Sequence, residues 1–132
     1  MKVKKRRILY VDATVMDDIT KISLYDIENN LTNILELIDI KDNNKAEQYA
    51  VLYATLYAIK HNYANCHILT DNKQASQNKN LMEFCKEERV SVSWIPREIN
   101  AIADKITKLE PTVKAKEWYI LDTIYKMIFK QV

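Results

Sequence analysis

The feature that most constrains this 132-residue chain is the complete absence of glycine. Glycine has no Cβ atom, so it lets the backbone adopt left-handed angles and approach a phosphate group closely. A phosphate-binding P-loop and a glycine-rich dinucleotide motif both depend on that property. The sequence therefore excludes kinases, GTPases and dinucleotide-binding dehydrogenases. Its sharp turns must be made by residues such as Asn and Asp, which tolerate unusual backbone angles.

The apolar pattern predicts three antiparallel strands followed by alternating helices and strands. The three strands are expected at 7–13, 19–25 and 31–40, with turns at 16–18 and 28–30. A helix is expected from Asn44 to about Asn62, capped by Asp42 or Asn43. The remaining pattern predicts a strand at 67–70, a helical stretch at 72–89, a strand at 90–95 and a helix at 99–109. A final amphipathic helix is expected from Val113, and its apolar stripe consists of Trp118, Leu121, Tyr125, Ile128 and Val132.

This order predicts an α/β fold of one domain, residues 1–132. Its five-stranded mixed sheet combines a three-strand antiparallel meander with two parallel strands, with helices on both faces and an extra C-terminal helix. The longest apolar run, 50–59, is too short to cross a bilayer, so no membrane association is expected. Cys66 and Cys85 belong to no metal-ligand spacing and are interpreted as free thiols of a cytoplasmic protein.

Four carboxylates occupy positions where the predicted elements converge. Asp12 and Asp71 come near the ends of two strands expected to run parallel and side by side, where sites in such sheets gather. Glu47 lies on the apolar stripe of the first helix, where a carboxylate is costly unless it is paired or bound to metal. Asp104 lies on the helix after the last strand. Mutual repulsion of these four groups would be relieved by two Mg²⁺ ions, with Mn²⁺ as a substitute, because both prefer oxygen ligands.

Four segments around these carboxylates resemble the ribonuclease H family, and the resemblance covers about residues 7–109. The most specific segments are Asn-Asn-Lys-Ala-Glu-Gln at 43–48 and Trp-Ile-Pro-Arg-Glu-Ile-Asn-Ala-Ile-Ala-Asp-Lys at 94–105. The second of these is similar to the subgroup related to reverse-transcriptase ribonuclease H domains. Tyr-Val-Asp-Ala-Thr at 10–14 and Leu-Thr-Asp-Asn at 69–72 resemble the two aspartate-bearing strand ends.

The resemblance implies an endonuclease that hydrolyses the RNA strand of RNA/DNA hybrids. Asp12, Glu47, Asp71 and Asp104 would then be the catalytic metal ligands. Asn43 and Asn44 would contact the nucleic acid in its shallow minor groove. The other expected substrate-binding residues are Lys73, Gln74, Arg97 and Asn100. The last two would bind phosphate or order the loop of the fourth ligand. The basic residues Lys2, Lys4, Lys5, Arg6 and Arg7 would add salt-sensitive phosphate contacts.

Two other functions stay open. A catalytically weak or inactive nucleic-acid-binding or assembly module is favoured by two departures from the family pattern: the missing glycine beside Asp12, and the lack of a histidine between Trp94 and Asp104. A DNA strand-transfer enzyme of the same fold ranks last, because its third carboxylate would be Asp104 in place of Glu. We expect a monomer; the alternative is a dimer contact through Trp118 and Tyr125 on the C-terminal helix.

Overall fold

The computed structural model describes residues 7–63 and 65–129, in which five strands form one mixed sheet. The basic residues before Arg7, and Val132 at the end of the predicted stripe, lie outside the described residues. The strands are β1 (Arg7–Met16), β2 (Ile19–Asp26), β3 (Leu31–Leu37), β4 (Cys66–Thr70) and β5 (Val90–Trp94).

The strands lie in the order β3-β2-β1-β4-β5. β1, β2 and β3 form an antiparallel meander, whereas β4 pairs parallel to β1 and β5 pairs parallel to β4. The predicted fold class is therefore confirmed. β3 ends three residues earlier than predicted, at Leu37, and β1 continues three residues further, to Met16. This extension places Asp12 in the middle of its strand.

Five helices complete the described part of the chain: α1 (Asn43–Lys60), α2 (Lys73–Gln77), α3 (Lys79–Glu87), α4 (Ala101–Thr107) and α5 (Lys116–Ile128). Asp42 caps α1, as one of the two predicted alternatives, by accepting hydrogen bonds from the backbone N–H groups of Asn44 and Lys45. The stretch predicted as one helix at 72–89 is two helices. Asn78 separates them with extended backbone angles, and its side chain accepts a hydrogen bond from Leu81 N–H to begin α3.

The main hydrophobic core lies on the face of the sheet covered by α1, with α5 packed beside that helix. Leu9, Val11 and Ile22 project into this core from β1 and β2. The short helix α4 covers part of the opposite face, against β1 and β2. The chain passes between the two faces around the outer edge of β3, where the N–H groups of Thr112 and Val113 both donate to Ile34 O. That crossing covers a sheet edge that would otherwise expose unpaired backbone groups.

Asn and Asp take the place of glycine at most left-handed positions. Six described residues have positive φ angles between 48° and 61°, and they are Asp17, Asn30, Asp39, Asn62, Asn65 and Arg89. Asn and Asp bear these angles at lower cost than other residues with a Cβ atom. The turns before β2 and β3 thus form where the sequence predicts them, without glycine.

The apolar stripe of α5 packs inside the chain. Trp118 is 4% exposed and Tyr125 is 7% exposed, and the Tyr125 ring stacks on Tyr49 of α1 at 3.9 Å between ring centroids. Both side chains are thus buried within one chain and offer little surface for the alternative dimer contact, and the expected monomer stays a prediction. Among the described residues, no helix is both long and apolar enough to cross a membrane.

Candidate metal centre

Asp12 and Asp71 lie where two neighbouring parallel strands separate. The parallel ladder between β1 and β4 ends at the pair Tyr10–Leu69, and each aspartate follows two residues later. β1 continues beside β2 alone, whereas β4 ends at Thr70. The two carboxylates consequently project into the space that opens between the diverging chains, as sites at the carboxyl ends of parallel strands commonly do.

Glu47 reaches the same space from the first turns of α1. The helix packs its face carrying Val51 and Ala54 against the sheet, which brings Glu47 inside the protein, where it is 3% exposed. Its Oε2 atom is buried and has no hydrogen-bond partner among the described residues. The Ala13 backbone lowers the pKa of Glu47 and of Asp12, but by less than burial raises them. A buried carboxylate oxygen without a donor is costly, so the group favours either a proton or a bound cation at this position.

The three carboxylates form one compact group. A carboxylate oxygen from each of Asp12, Glu47 and Asp71 lies within 4.8 Å of the other two. Burial, followed by repulsion from Asp12 and then Asp71, raises the pKa of Glu47 to about 9. Burial and repulsion from Asp71 raise the pKa of Asp12 to about 7. In the absence of a bound cation, protons therefore replace part of the negative charge at neutral pH.

Asp104 lies beside this group and is not one of its three members. It projects from α4 close enough to Asp12 to raise the pKa of that carboxyl further. Its own side chain is 34% exposed and lies 3.7 Å from Lys108 Nζ, one turn along the helix. The structure thus brings Asp12, Glu47 and Asp71 together tightly, with Asp104 at the rim.

Hydrogen bonds from α4 and its preceding turn orient two of the carboxylates. Asn100 is 1% exposed, and its Nδ2 donates to Val11 O at 2.8 Å and to Asp71 Oδ2 at 3.2 Å. Thr107 Oγ1 lies 3.4 Å from Asp12 Oδ2 and 2.6 Å from Ser23 Oγ. Of the two roles predicted for Asn100, phosphate binding or ordering of the loop before Asp104, its burial and its bond to Asp71 favour an ordering role.

The other residues predicted to bind substrate surround the carboxylates at the surface. Asn43, Asn44, Lys73, Gln74 and Arg97 are all exposed. Asn44 Oδ1 accepts a hydrogen bond from Asn72 Nδ2 at 3.1 Å, which places an exposed amide pair directly beside Asp71.

The sequence did not single out Ser23 and Thr107. Ser23 does lie on the alternating pattern of β2, and the register places it directly opposite Asp12. That register was the only signal that could have identified it.

The donor set fits a divalent cation that prefers oxygen. The group consists of carboxylates alone, two of them buried, and Glu47 Oε2 has no donor. Hard cations such as Mg²⁺ and Mn²⁺ bind such oxygen sets, whereas zinc sites commonly include His or Cys. In the described residues, Lys108 is the only cation that forms an ion pair with any of the four predicted ligands. The negative charge therefore exceeds what the protein itself neutralises.

The sequence matches no protein-family model and no curated protein. Solved structures do resemble it. A ribonuclease H1 from Halobacterium salinarum is similar with a TM-score of 0.54 and 15% identity, over 77% of this chain and 94% of that one. The N-terminal ribonuclease H domain of rv2228c from Mycobacterium tuberculosis is similar with a TM-score of 0.57 and 13% identity, over 91% of this chain and 98% of that one.

The catalytic core domain of BIV integrase is also similar, with a TM-score of 0.51 and 13% identity, over 76% of this chain and 61% of that chain. Identities this low establish a shared architecture and nothing finer. The chain has a ribonuclease H-like fold, and its acidic group occupies the opening between the two central strands.

Proposed function

We propose that this protein is a metal-dependent endonuclease that hydrolyses the RNA strand of RNA/DNA hybrids. The observation that carries the proposal is the group of Asp12, Glu47 and Asp71, two of them buried, in which one carboxylate oxygen of each lies within 4.8 Å of the others. A protein that holds three carboxylates so close, with one buried oxygen unpartnered, is arranged for cation binding. The segments at 43–48 and 94–105, which resemble ribonuclease H, support the choice of substrate.

Asp12, Glu47 and Asp71 would hold two Mg²⁺ ions, with Asp104 completing the set from the rim. Such ions, when bound, supply Lewis-acid stabilisation of phosphoryl charge and lower the pKa of water. The chain itself orients the ligands. Asn100 fixes Asp71 by a hydrogen bond, and the buried walls around Glu47 exclude bulk water.

Exposed amides at the start of α1 would recognise the nucleic acid. Asn43 and Asn44 lie at the rim beside Asn72, and their amide groups can both donate and accept hydrogen bonds. A 2′-hydroxyl is likewise a donor and an acceptor, and it is the group that distinguishes RNA from DNA. These residues therefore support specificity for the RNA strand, while exposed Lys73 and Arg97 would contact phosphates.

A cleavage assay tests the proposal. Labelled RNA/DNA hybrid, double-stranded RNA and double-stranded DNA are incubated with the protein and Mg²⁺. We expect cleavage of the RNA strand in the hybrid alone. The D71N variant should lose activity by about a hundredfold or more, as for loss of one preorganised electrostatic group. D18N is the matched control, because Asp18 is exposed and pairs only with Lys41 at the surface. Absence of cleavage with both Mg²⁺ and Mn²⁺ would refute the nuclease.

A second candidate function is a nucleic-acid-binding or assembly module without hydrolytic activity. It is favoured by the ion pair of Asp104 with Lys108, which partly satisfies the fourth carboxylate without a metal. Calorimetric titration with Mn²⁺ separates the two functions when it is combined with the cleavage assay. Two bound ions with hybrid binding and no cleavage would support the module. Action on DNA ends alone would support a strand-transfer enzyme.

A further inference from the structure

An exposed tryptophan stands in a fixed orientation beside the acidic group. Trp94 ends β5, pairs with Thr70 of β4 and is 44% exposed. Its indole Nε1 donates a hydrogen bond to the backbone carbonyl of Asp71 at 3.1 Å. The other tryptophan, Trp118, is only 4% exposed and lies in the core. Single exposed apolar side chains are common at protein surfaces, so the informative feature of Trp94 is its hydrogen-bonded orientation beside Asp71.

The ring of Trp94 holds the ammonium group of Lys73. Lys73 Nζ lies 5.2 Å from the ring centroid, within the range of a cation–π interaction. Lys73 is exposed, and within residues 7–63 and 65–129 it forms no ion pair. It follows Asp71 by two residues, so the two Cα atoms are at most about 7 Å apart. A charge without an ionic partner is thus held next to a group of carboxylates.

We infer that Trp94 is a positioning residue that holds Lys73 ready to bind a backbone phosphate of a nucleic acid strand. This inference rests on the proposed function and deepens it. The carboxylates repel a polyanion, so a strand that enters the site requires a cation beside it. A flexible lysine loses side-chain entropy when it binds, and a ring that already restrains the ammonium reduces that loss. Asn72, which lies between Asp71 and Lys73 in the chain, bonds to Asn44 and extends the same rim.

The salt dependence of binding tests the role of Lys73. Affinity for a fluorescein-labelled RNA/DNA hybrid is measured by anisotropy in EDTA, so that no metal-dependent cleavage occurs, at several KCl concentrations. Each phosphate contact contributes about −0.9 to the slope of log K against log salt on a duplex. We expect K73M to make that slope less negative by about 0.9, and K73R to restore it. K60M is the matched control, because Lys60 is exposed at the far end of α1 and should leave the slope unchanged.

A double-mutant cycle tests the role of Trp94. W94L should weaken binding about two- to fivefold, the range of an exposed cation–π contact, without changing the salt slope. In a chain that already carries K73M, the same W94L substitution should have no further effect. W94F keeps an aromatic face and loses the N–H. Its affinity for the hybrid should therefore lie between those of the wild type and W94L. Fluorescence of the buried Trp118 and a thermal melt check that each variant is folded.

The outcomes separate the inference from the proposed function. An unchanged slope in K73M, or an equal effect of W94L with and without Lys73, overturns the inference even if the protein cleaves hybrids. The predicted slope and coupling without any cleavage support the inference and count against the nuclease. Failure to bind the hybrid in EDTA at any salt concentration overturns the inference, and the cleavage assay with Mg²⁺ then decides the proposed function separately.

Discussion

Replacement of Glu47 by glutamine should stabilise the metal-free protein at neutral pH. Glu47 is 3% exposed, and its Oε2 atom has no donor, so its charged form is unfavourable in the folded state. Burial and the neighbouring carboxylates raise its pKa from 4.5 to about 9. Glutamine has nearly the same shape and carries no charge, and the E47Q variant therefore lacks this cost.

The magnitude follows from the linkage between proton binding and folding. Between pH 4.5 and about 9 the folded state binds more protons at Glu47 than the unfolded state does, so stability falls as the pH rises. Each unit of pH costs about 1.4 kcal/mol of unfolding free energy for one such group. At pH 7 the accumulated loss is about 3 kcal/mol. The unfolding free energy of E47Q should therefore exceed that of the wild type by about that amount at pH 7 and equal it near pH 4.

Urea unfolding in EDTA at pH 4, 5.5 and 7 measures this difference. E83Q is the control, because Glu83 is exposed on α3 and its replacement should leave stability unchanged at each pH. Saturating Mg²⁺ should reduce the stability advantage of E47Q, because the ion stabilises the wild type more than the variant. An ion present at 100 times its Kd adds about 2.7 kcal/mol to the wild type, and E47Q should gain much less. The reasoning is refuted if E47Q is no more stable than the wild type at pH 7, or if its advantage is the same at pH 4.

Two further substitutions probe the polar groups that support the sheet. Asp26 is fully buried, and although burial raises its pKa, hydrogen bonds from Tyr63, Tyr57 and Asn29 hold it below its ordinary value. The stabilisation by the ionised Asp26 side chain is present at neutral pH and is lost progressively as the pH falls below about 4. D26N should therefore cost about 2 kcal/mol of unfolding free energy at pH 7, and less as the pH falls below about 4, as measured by urea unfolding. N100A should weaken Mn²⁺ binding about 10- to 100-fold, because it removes the donor that orients Asp71. Calorimetric titration measures this affinity, and an unchanged value would contradict the prediction.

The order of elements was predictable because it depends on local periodicity. The alternation of the strands ends before residue 43, where α1 begins. Most sides of this helix are buried, so the burial of Glu47 was predictable from the overall apolar character of the helix more than from a single stripe. The break between α2 and α3 was not predictable in this way. Asn78 is neither proline nor glycine, and it can equally lie inside a helix or begin a new one.

The close approach of Asp12, Glu47 and Asp71 followed from topology combined with motifs. Asp104 shows the limit of that reasoning, because α4 is only seven residues long and its distance from the sheet depends on side-chain packing. Ser23 and Trp94 were missed for a related reason. Each becomes relevant only through a cross-strand register, Ser23 opposite Asp12 and Trp94 opposite Thr70, which periodicity alone does not reveal.

Asn100 shows that a side chain beside a catalytic motif can have partners that the sequence does not reveal. An asparagine close to a predicted carboxylate ligand has the chemistry of a phosphate contact, and the sequence supports that interpretation. The parallel ladder between β1 and β4 ends at Tyr10, however, and the next backbone carbonyl, that of Val11, takes its donor from the Asn100 side chain. A backbone acceptor leaves no trace in the sequence. Because Asn100 is buried between that carbonyl and Asp71, its loss should lower metal affinity and leave the salt slope of hybrid binding unchanged. Loss of Lys73 should make the salt slope less negative and leave metal affinity unchanged.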